Sequence, residues 1–317
     1  MRKLALLLGL ALFAGTALAQ FPSRPIHILV TIPPGGAPDI VARVVGEKIS
    51  HTLGQPVVVD NKPAANGNAA AQEVARAAAD GHTLLLAADS LITINPHVYS
   101  SMPIDTLKDL TPISSLVSNQ FVLSINPKLP PQNFKEFIEY AKKANPPLAY
   151  ASGGNGSQHQ LTMEMLKERA GFDMVHVPYK GGAPATAATM SGEVAALFSG
   201  TSSAPQIKAG RIRGLAVSTA KRSSFAPDLP TVAESGLPGF NVFGWNGVLA
   251  TAGTPRPVIE KLHSLFITAM KDPEVRKRMA DFGFEPIGNT PEEFGAFVKE
   301  DIARWAKLVK ETGAKVE

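Results

Sequence analysis

Residues 26–49 read IHILVTIPPGGAPDIVARVVGEKI, and they predict a buried strand that runs through a glycine turn into a helix. The apolar run at 26–30 is typical of a strand covered on both faces. From residue 40 onward, apolar residues recur at helical spacing, with charged residues on the opposite face. A turn of this kind presents free backbone N–H groups at the start of the helix, a geometry that favours an anion. The stretch therefore predicts an α/β fold and raises the question whether an anion is held or transformed.

The same alternation of short apolar runs and helical patterns continues along most of the chain, as in parallel α/β units. We predict strands at residues 26–32, 57–60, 84–88, 122–125, 148–151, 174–177, 194–198 and 214–218. Capping residues predict the starts of two late helices, one at Asp272-Pro273 and one at the capping box Thr290-Pro291-Glu292-Glu293. No change of composition marks a boundary between domains.

The first nineteen residues have the pattern of a secretory signal peptide. Arg2 and Lys3 precede an apolar segment at 4–14, and Ala17-Leu18-Ala19 offers a small-residue cleavage site. We therefore expect cleavage after Ala19 and a mature protein in the periplasm. The apolar segment is too short to span a bilayer, and no later segment reaches about 18 uninterrupted apolar residues.

Composition argues against several classes of function. The formal net charge is +4, and two of the positive charges belong to the predicted signal peptide. The mature chain is thus nearly neutral and has no basic block, so we expect no nucleic-acid partner. There is no cysteine for a disulfide framework or a lipid anchor. The seven histidines do not pair with each other or with carboxylates at metal-ligand spacing, so we predict no metal site.

Three glycine-bearing loops follow predicted strands and lead into predicted helices. They lie at residues 33–39, 152–157 and 178–184. Because ligands of open α/β sheets bind at the carboxyl ends of the strands, we expect the loops to meet around one anion. The P-loop ending Gly-Lys-Ser/Thr is absent, and the first strand is not followed by the Gly-x-Gly-x-x-Gly spacing of a dinucleotide site. We therefore predict no cofactor.

Three polar side chains in these loops admit two interpretations each. Asp39 lies in the first turn of its helix, where the helix dipole favours a carboxylate, and it could equally orient a ligand or a bridging water. Ser157 is a suitable N-cap, and its hydroxyl could instead turn toward a carboxylate. Lys180 suits a solvated loop charge or a partner for an anion.

The sequence offers little that could transform a bound molecule. Gly156-Ser157 lacks the Gly-x-Ser-x-Gly nucleophile elbow. Ser157 and His159 form one local pair of nucleophile and base, but positions two apart on a helix do not share a face. We therefore predict binding without catalytic residues.

A series of motifs falls in one order along nearly the whole mature chain. It comprises PSRPI at 22–26, PGGAPD at 34–39, LGQPVVV at 53–59, ADGHTL at 79–84, KDLTPI at 108–113, GNGS at 154–157, VPYKG at 177–181 and TPEEF at 290–294. This order resembles that of the extracytoplasmic solute receptors of tripartite tricarboxylate transporters, the Bug family.

The resemblance implies the two-domain flytrap fold of periplasmic binding proteins, in which each domain is a mainly parallel sheet flanked by helices. The first domain would comprise residues 20–120 and 247–317, and the second residues 121–246. Two crossover strands near 119–125 and 242–248 would join them. The ligand would be a small carboxylate, the partner a tripartite tricarboxylate-type membrane permease, and the receptor a monomer.

The resemblance also implies the ligand-binding residues. They are Ile32, Pro34, Gly35, Gly36, Asp39, Asp89, Ser90 and Asn95 from the first domain, and Gly154, Asn155, Gly156, Ser157, His159, Ala183, Pro184 and Thr201 from the second. Ile32 stands where the family usually has phenylalanine, which predicts a wider pocket. The family's histidine falls at Gln160, beside His159, so either side chain could face the cleft. Asp89 is acidic and close to the expected anion site, where it could face solvent or meet an amine or amide of the ligand.

Two other functions fit the same loops. One is an exported sensory or interaction module whose closed form is recognised by a membrane kinase. The other is an exported α/β hydrolase that uses the loops as an oxyanion site, with Ser157 and His159 as its reacting pair. A carboxylate receptor without catalysis is the interpretation that we carry forward.

Overall fold

The structure is a computed structural model that describes residues 21–223 and 226–312. The predicted signal peptide at 1–19 and its cleavage site lie outside these residues. Within the described ranges, no helix combines the length and apolarity needed to cross a membrane.

The first part of the chain alternates strands with helices, as the sequence predicts. Its elements are β1 (Ile26–Val30), α1 (Ala37–Leu53), β2 (Val57–Asn61), α2 (Asn68–Arg76), β3 (Thr83–Ala88), α3 (Asn95–Val98) and β4 (Leu110–Ile125). Strand β1 lies between β2 and β3 and is parallel to both. A short 3-10 turn at Ala64–Gly67 and a π turn at Ser90–Ile94 connect elements at the carboxyl ends of β2 and β3.

The middle of the chain repeats the alternation around a second group of strands. It contains α4 (Phe134–Lys143), β5 (Ala149–Ser152), α5 (Gln158–Ala170), β6 (Val175–Pro178), α6 (Gly182–Ser191), β7 (Ala196–Gly200), α7 (Ala204–Lys208) and β8 (Arg213–Val217). Strand β5 is parallel to β6 and β7. The chain then returns to the first group through β9 (Phe243–Thr251), α8 (Arg256–Lys271), α9 (Pro273–Asp281), β10 (Glu285–Pro286) and α10 (Pro291–Thr312).

Strand β4 belongs to both groups of strands. Its residues from Leu110 to Gln120 pair with β9, and those from Phe121 to Ile125 pair with β7 and β8, all antiparallel. The resulting strand order is β2-β1-β3-β9-β4-β7-β5-β6. The α/β fold class predicted from the sequence is confirmed, with parallel pairs in each group and antiparallel pairs around β4 and β9.

Strand β4 begins at Leu110, well before the strand predicted from the apolar pattern at 122–125. That pattern did not predict β9 (Phe243–Thr251), which overlaps the crossover strand that the resemblance implies near 242–248. Pro112 and the serines that follow it interrupt the apolar pattern on which the prediction relied. The pairing of β4 with β9 shifts register next to Pro112 and again after Ser115. Bulges of this kind accommodate residues that a regular ladder excludes.

Helix α10 packs against the cores of both groups of strands. Phe294 and Val298 belong to a core that contains residues of β1, β3 and β9. Trp305 and Val309, further along the same helix, belong to a core around β4, β5 and β7. The middle of α10 therefore lies where the two groups meet.

Capping residues set the starts of the last two long helices. The Asp272 carboxylate accepts from the backbone N–H groups of Glu274 at 3.0 Å and Val275 at 3.3 Å. At α10, the N–H of Glu293 donates to Thr290 Oγ1 at 3.2 Å, and the N–H of Thr290 donates to Glu293 Oε2 at 2.9 Å. Both caps agree with the sequence prediction.

Candidate functional site

An inner cavity of about 70 Å³ lies between the two groups of strands. It is bordered by the starts of α1, α5 and α6 and by residues of β3, β4, β7 and β9. Its lining residues are Ile32, Gly36, Ala37, Pro38, Asn66, Ala88, Asp89, Ser90, Asn119, Phe121, Gly153, Ser157, Gln158, His159, Gly181, Gly182, Gly200, Ser202, Trp245 and Asn246. This volume holds several water molecules or one small polar group.

The three predicted glycine loops meet at this cavity. Each loop leads into one of the three helices whose first residues border the cavity. Glycine is required where the loops approach other atoms closely. A Cβ on Gly36 would lie 2.1 Å from the side chain of Ile32, and one on Gly153 would lie 2.7 Å from His159 Nδ1. Gly181 caps α6 with φ of 108°, a conformation that other residues rarely adopt. The first N–H groups of a helix have no acceptor within it, so the cavity receives three positive helix ends.

Two residues that line the cavity, Asn246 and His159, each have a buried side-chain nitrogen without a hydrogen-bond partner among the described residues: Asn246 Nδ2 and His159 Nδ1. Asn246 is in β9 with only 1% of its surface exposed. A buried amide nitrogen without an acceptor is costly, so a bound acceptor that reached it would relieve that cost. A residue of the cavity lining therefore has an unused donor, in addition to the helix ends.

No lysine or arginine is among the described residues that line the inner cavity. Its histidine, His159, packs edge-on against Phe121 with the ring centres 5.4 Å apart. Burial lowers the pKa of His159 to about 4. The imidazole is therefore neutral at neutral pH, and an anion would be held by neutral donors and helix ends.

Asp89 contributes the carboxyl group of the inner cavity and is only 2% exposed. Its Oδ1 accepts from the N–H of Ser90 at 2.8 Å. Its Oδ2 accepts from the N–H of Trp245 at 3.3 Å and from Gln158 Nε2 in a close contact. Burial, reinforced by the neighbouring Asp301, raises the pKa of Asp89 well above its usual value.

Asp301 in α10 lies behind this group. Its Oδ2 accepts from the indole Nε1 of Trp245 at 3.0 Å, and its Oδ1 accepts from Arg304 Nε at 3.0 Å. The Arg304 guanidinium also lies over the ring of Phe243, 5.4 Å from its centre. The Arg304 guanidinium is therefore hydrogen-bonded to Asp301 rather than to Asp89.

Asp39 does not line the inner cavity. Its Oδ2 accepts from the N–H of Gly35, and its Oδ1 accepts from Arg43 Nε and Asn61 Nδ2, each at 2.9 Å. These bonds join the glycine loop to its own helix and to the end of β2. Asp39 thus stabilises the conformation of the Pro34-Gly35-Gly36 turn.

Ser157 and His159 both line the cavity, but no hydrogen bond joins them in the described structure. Ser157 Oγ caps α5 and accepts from the N–H of Gln160 at 3.4 Å. Gln160 folds back, and its Oε1 accepts from the N–H of Gly156 at 2.7 Å. Of the two candidates for the cleft, His159 is the one that lines the inner cavity. The arrangement is a helix cap and not a pair of nucleophile and base.

A larger outer chamber of about 460 Å³ adjoins the inner cavity and shares Ile32, Asn66, Gly153 and Gly181 with it. Its other lining residues are Thr31, Pro33, Pro63, Ala64, Ala65, Tyr99, Gly154, Asn155, Tyr179 and Lys180. Lys180 is exposed there. The walls are mostly apolar, which suits the remainder of a ligand whose charged end lies in the inner cavity.

The structure brings part of the predicted residue set together. Ile32, Gly36, Asp89, Ser90, Ser157 and His159 line the inner cavity, and Gly154 and Asn155 line the outer chamber. Gly35 and Ala183 line a separate recess of about 140 Å³. The other six, namely Pro34, Asp39, Asn95, Gly156, Pro184 and Thr201, line none of these three spaces.

Some of these six support residues that do line the cavity. Thr201 donates to Asn119 Oδ1 from its backbone N–H at 3.1 Å and from Oγ1 at 2.8 Å. Asn95 Oδ1 accepts from Asn66 Nδ2 at 2.7 Å. Thr201 and Asn95 thus position two amide side chains at the cavity wall.

Seven polar or aromatic residues of the cavity are not among the predicted ligand-binding residues: Asn66, Asn119, Phe121, Gln158, Ser202, Trp245 and Asn246. Four of them lie in β4 or β9, the two strands that the resemblance predicts as crossovers without assigning ligand contacts to them. Gln158 directly follows the predicted loop at 152–157, so that loop was the signal that could have found it. Among the described residues, no group of three histidines or carboxylates could hold a metal ion.

Comparison with known proteins identifies the family. Residues 41–314 match the model of the tripartite tricarboxylate transporter family receptor. The periplasmic binding protein BugD is 35% identical in sequence, with a TM-score of 0.88 over 94% of this chain and 100% of that one.

Two further solved structures contain a bound acid. Rpa4515 of R. palustris with adipate is 33% identical, with a TM-score of 0.90 over 93% of this chain and 100% of that one. MatC of Rhodopseudomonas palustris with bound malate is 32% identical, with a TM-score of 0.85 over 91% of this chain and 100% of that one. With a family match over most of its length and these similarities, the chain belongs to the tripartite tricarboxylate transporter receptor family, the Bug-type periplasmic solute-binding proteins.

Proposed function

We propose that this protein is a periplasmic receptor that binds a small carboxylate in the inner cavity and delivers it to a tripartite tricarboxylate-type membrane permease. The observation that carries the proposal is the meeting of three helix starts around a cavity that also contains the free amide nitrogen of Asn246. Backbone N–H groups and helix dipoles stabilise a carboxylate without a formal positive charge. A pocket built in this way binds an anion and releases it unchanged.

The similar proteins support a carboxylate as the ligand. Adipate is bound to Rpa4515, and malate is bound to MatC. Both molecules carry two carboxylates on a short chain. We infer that one carboxylate of such a ligand enters the inner cavity and that its chain extends into the outer chamber.

We further propose that residues 20–120 with 247–317, and residues 121–246, form two domains that close on the ligand. Strands β4 and β9 would be the connections, since β4 pairs with strands of both groups. Closure around a ligand is a common motion of two-domain receptors. The receptor would act as a monomer without nucleic acid, after cleavage of the signal peptide behind Ala19, and without catalysis.

A thermal-shift screen of the protein from Gln20 onward, freed of co-purified ligand, tests the proposal. The panel contains mono-, di- and tricarboxylates, aromatic acids and amino acids, with the corresponding amides as uncharged controls. A ligand at 100 times its Kd stabilises the folded protein by about 2.7 kcal/mol, which is a shift of a few degrees. Stabilisation by one class of acids and not by its amides supports the proposal. No shift with any acid would contradict it.

Transport and sensing are separated by an experiment in cells. Loss of the receptor should abolish uptake of the acid identified in the screen, and a copy of the gene should restore it. Unchanged uptake, with altered expression of neighbouring genes, would instead indicate a sensory role.

A further inference from the structure

Asp89 places a carboxyl group inside a cavity that we propose for anions. The space open in the inner cavity is about 70 Å³, so any carboxylate inside it lies within a few ångströms of the Asp89 carboxyl group. Two carboxylates at that distance in a buried site strongly disfavour each other's ionised form, so one of them is expected to be protonated unless a cation lies between them. Either Asp89 carries a proton, or the ligand brings a cationic group that neutralises it.

The hydrogen bonds of Asp89 locate where a proton would reside. Oδ2 is occupied by two N–H donors, Trp245 N and Gln158 Nε2. Gln158 Nε2 also donates to the carbonyl oxygen of Phe243 at 3.4 Å, which fixes the orientation of the amide because a carbonyl only accepts. Oδ1 has one donor, the N–H of Ser90. Oδ1 is therefore the oxygen with capacity to carry a proton.

The charges around Asp89 favour the protonated form. From α10, Asp301 adds a second carboxylate, and the Arg304 guanidinium is hydrogen-bonded to Asp301. From α5, the groups present are the neutral amide of Gln158 and the neutral imidazole of His159. Strand β9 contributes Trp245 and Asn246, which do not titrate. The Arg304 charge lowers the pKa of Asp89, but burial and the Asp301 carboxylate outweigh it.

We propose that Asp89 is a specificity residue that carries a proton on Oδ1 and donates it to an oxygen of the bound carboxylate. A carboxylic acid kept neutral in an apolar site is an effective hydrogen-bond donor. Because a neutral acid forms no ion pair with a cation, the receptor then disfavours acids that carry an ammonium group beside that carboxylate and favours those that carry a hydroxyl there. This inference rests on the proposed carboxylate function and defines the chemistry of one end of its ligand.

Malate and aspartate form a matched pair of probes, since they differ in a hydroxyl against an ammonium group. Their affinities for the wild-type protein and for Asp89→Asn are measured by calorimetry from pH 6 to 9.5. The wild type should prefer malate, and its affinity should fall up to tenfold per pH unit once the pH exceeds the pKa of Asp89. Asp89→Asn should bind malate with an affinity that does not change over this range. His159, with a pKa of about 4, does not titrate there.

A second measurement needs no variant. Calorimetry of the wild type in buffers of different ionisation enthalpy counts the protons taken up, and binding of malate should take up protons once the pH is high enough for Asp89 to ionise in the free protein. A preference for aspartate that Asp89→Asn reverses would overturn the inference, as would equal pH dependence in both proteins. If neither acid nor any other carboxylate binds to either protein at any pH, the proposed function itself fails.

Discussion

The indole of Trp245 and the carboxylate of Asp301 are joined by a hydrogen bond of 3.0 Å beneath the inner cavity. The backbone N–H of the same Trp245 donates to Asp89 at 3.3 Å on the cavity side. One residue of β9 therefore separates two buried carboxyl groups and contacts both. Helix α10, which packs against both cores, is in this way connected to the wall of the site.

This arrangement predicts how stability changes with pH. The pKa of Asp89 in the folded protein is raised by burial and by Asp301, so ionisation of Asp89 opposes folding. The stabilisation from its protonated form is complete below the unfolded pKa, near 4, and is lost as the pH rises toward the folded pKa. Asp89→Asn should therefore match the wild type near pH 3.5 and be relatively more stable at pH 8. Urea unfolding of both proteins at the two pH values measures the difference.

The control for this comparison is Asp60→Asn. Asp60 is a half-exposed carboxylate at the end of β2. Its substitution controls for the replacement of a carboxyl group by an amide at a position that solvent reaches. A constant difference between Asp89→Asn and the wild type across the range would mean that Asp89 ionises at its ordinary pKa.

Asn246 should contribute to ligand affinity through its free amide nitrogen. Asn246→Leu keeps the approximate shape and removes the donor, so a carboxylate loses one charge-assisted hydrogen bond. We expect a loss of about 1.5–3 kcal/mol in binding free energy, roughly 10- to 150-fold in Kd. Isothermal titration with the acid identified by the screen measures it.

Gln120→Leu is the matched control for Asn246→Leu. Gln120 is another buried amide with an atom that lacks a partner, but it does not line the inner cavity. Its substitution should leave affinity unchanged. Equal losses of affinity in the two variants would indicate a general effect of altering β4 and β9 rather than a contact with the ligand.

The glycine loops of the site could be predicted from the sequence, but some of the residues that line the inner cavity could not. The glycine turns that start α1, α5 and α6 have strong local signals, because helix starts and tight turns depend on neighbouring residues. Asn119 and Asn246 come from β4 and β9, whose pairing depends on contacts between distant parts of the chain. Strand β4 contains a proline and several serines, and β9 contains two glycines, so neither has a clear strand period over its whole length. The local pattern therefore located only the end of β4 at 122–125 and neither of the two amides.

Asp39 illustrates a different limit. The sequence left two interpretations open, a favourable charge near a helix start and a contact with ligand. In the structure Asp39 bonds to Gly35, Arg43 and Asn61 and stays outside the cavity. Two of these partners come from the same loop and helix, but Asn61 comes from the end of another strand. A pattern read along one segment could not include that third contact.

Asp39→Ala should therefore lower the free energy of unfolding directly, and it should lower ligand affinity only indirectly. It removes the side-chain acceptor of the Gly35 N–H and one of the two acceptors of Asn61 Nδ2, which also donates to the Ile32 carbonyl oxygen. The loss costs about 1–3 kcal/mol. The melting temperature should fall by several degrees, and ligand affinity should fall only through the loosened glycine loop. Asp39→Asn, which retains one oxygen acceptor, should recover part of both. A large loss of affinity with an unchanged melting temperature would instead indicate direct contact with the ligand.

His159 should remain neutral throughout the physiological range. Burial lowers its pKa to about 4, so its charged form is disfavoured in the folded protein. The stability from the neutral form is complete above the unfolded pKa of about 6.5 and is lost as the pH falls toward 4. NMR titration of the His159 imidazole protons should give a midpoint near 4, well below the ordinary histidine value of about 6.5. His159→Phe should reduce the loss of stability between pH 6.5 and 4, whereas a midpoint near 6.5 for His159 would mean that water reaches the ring.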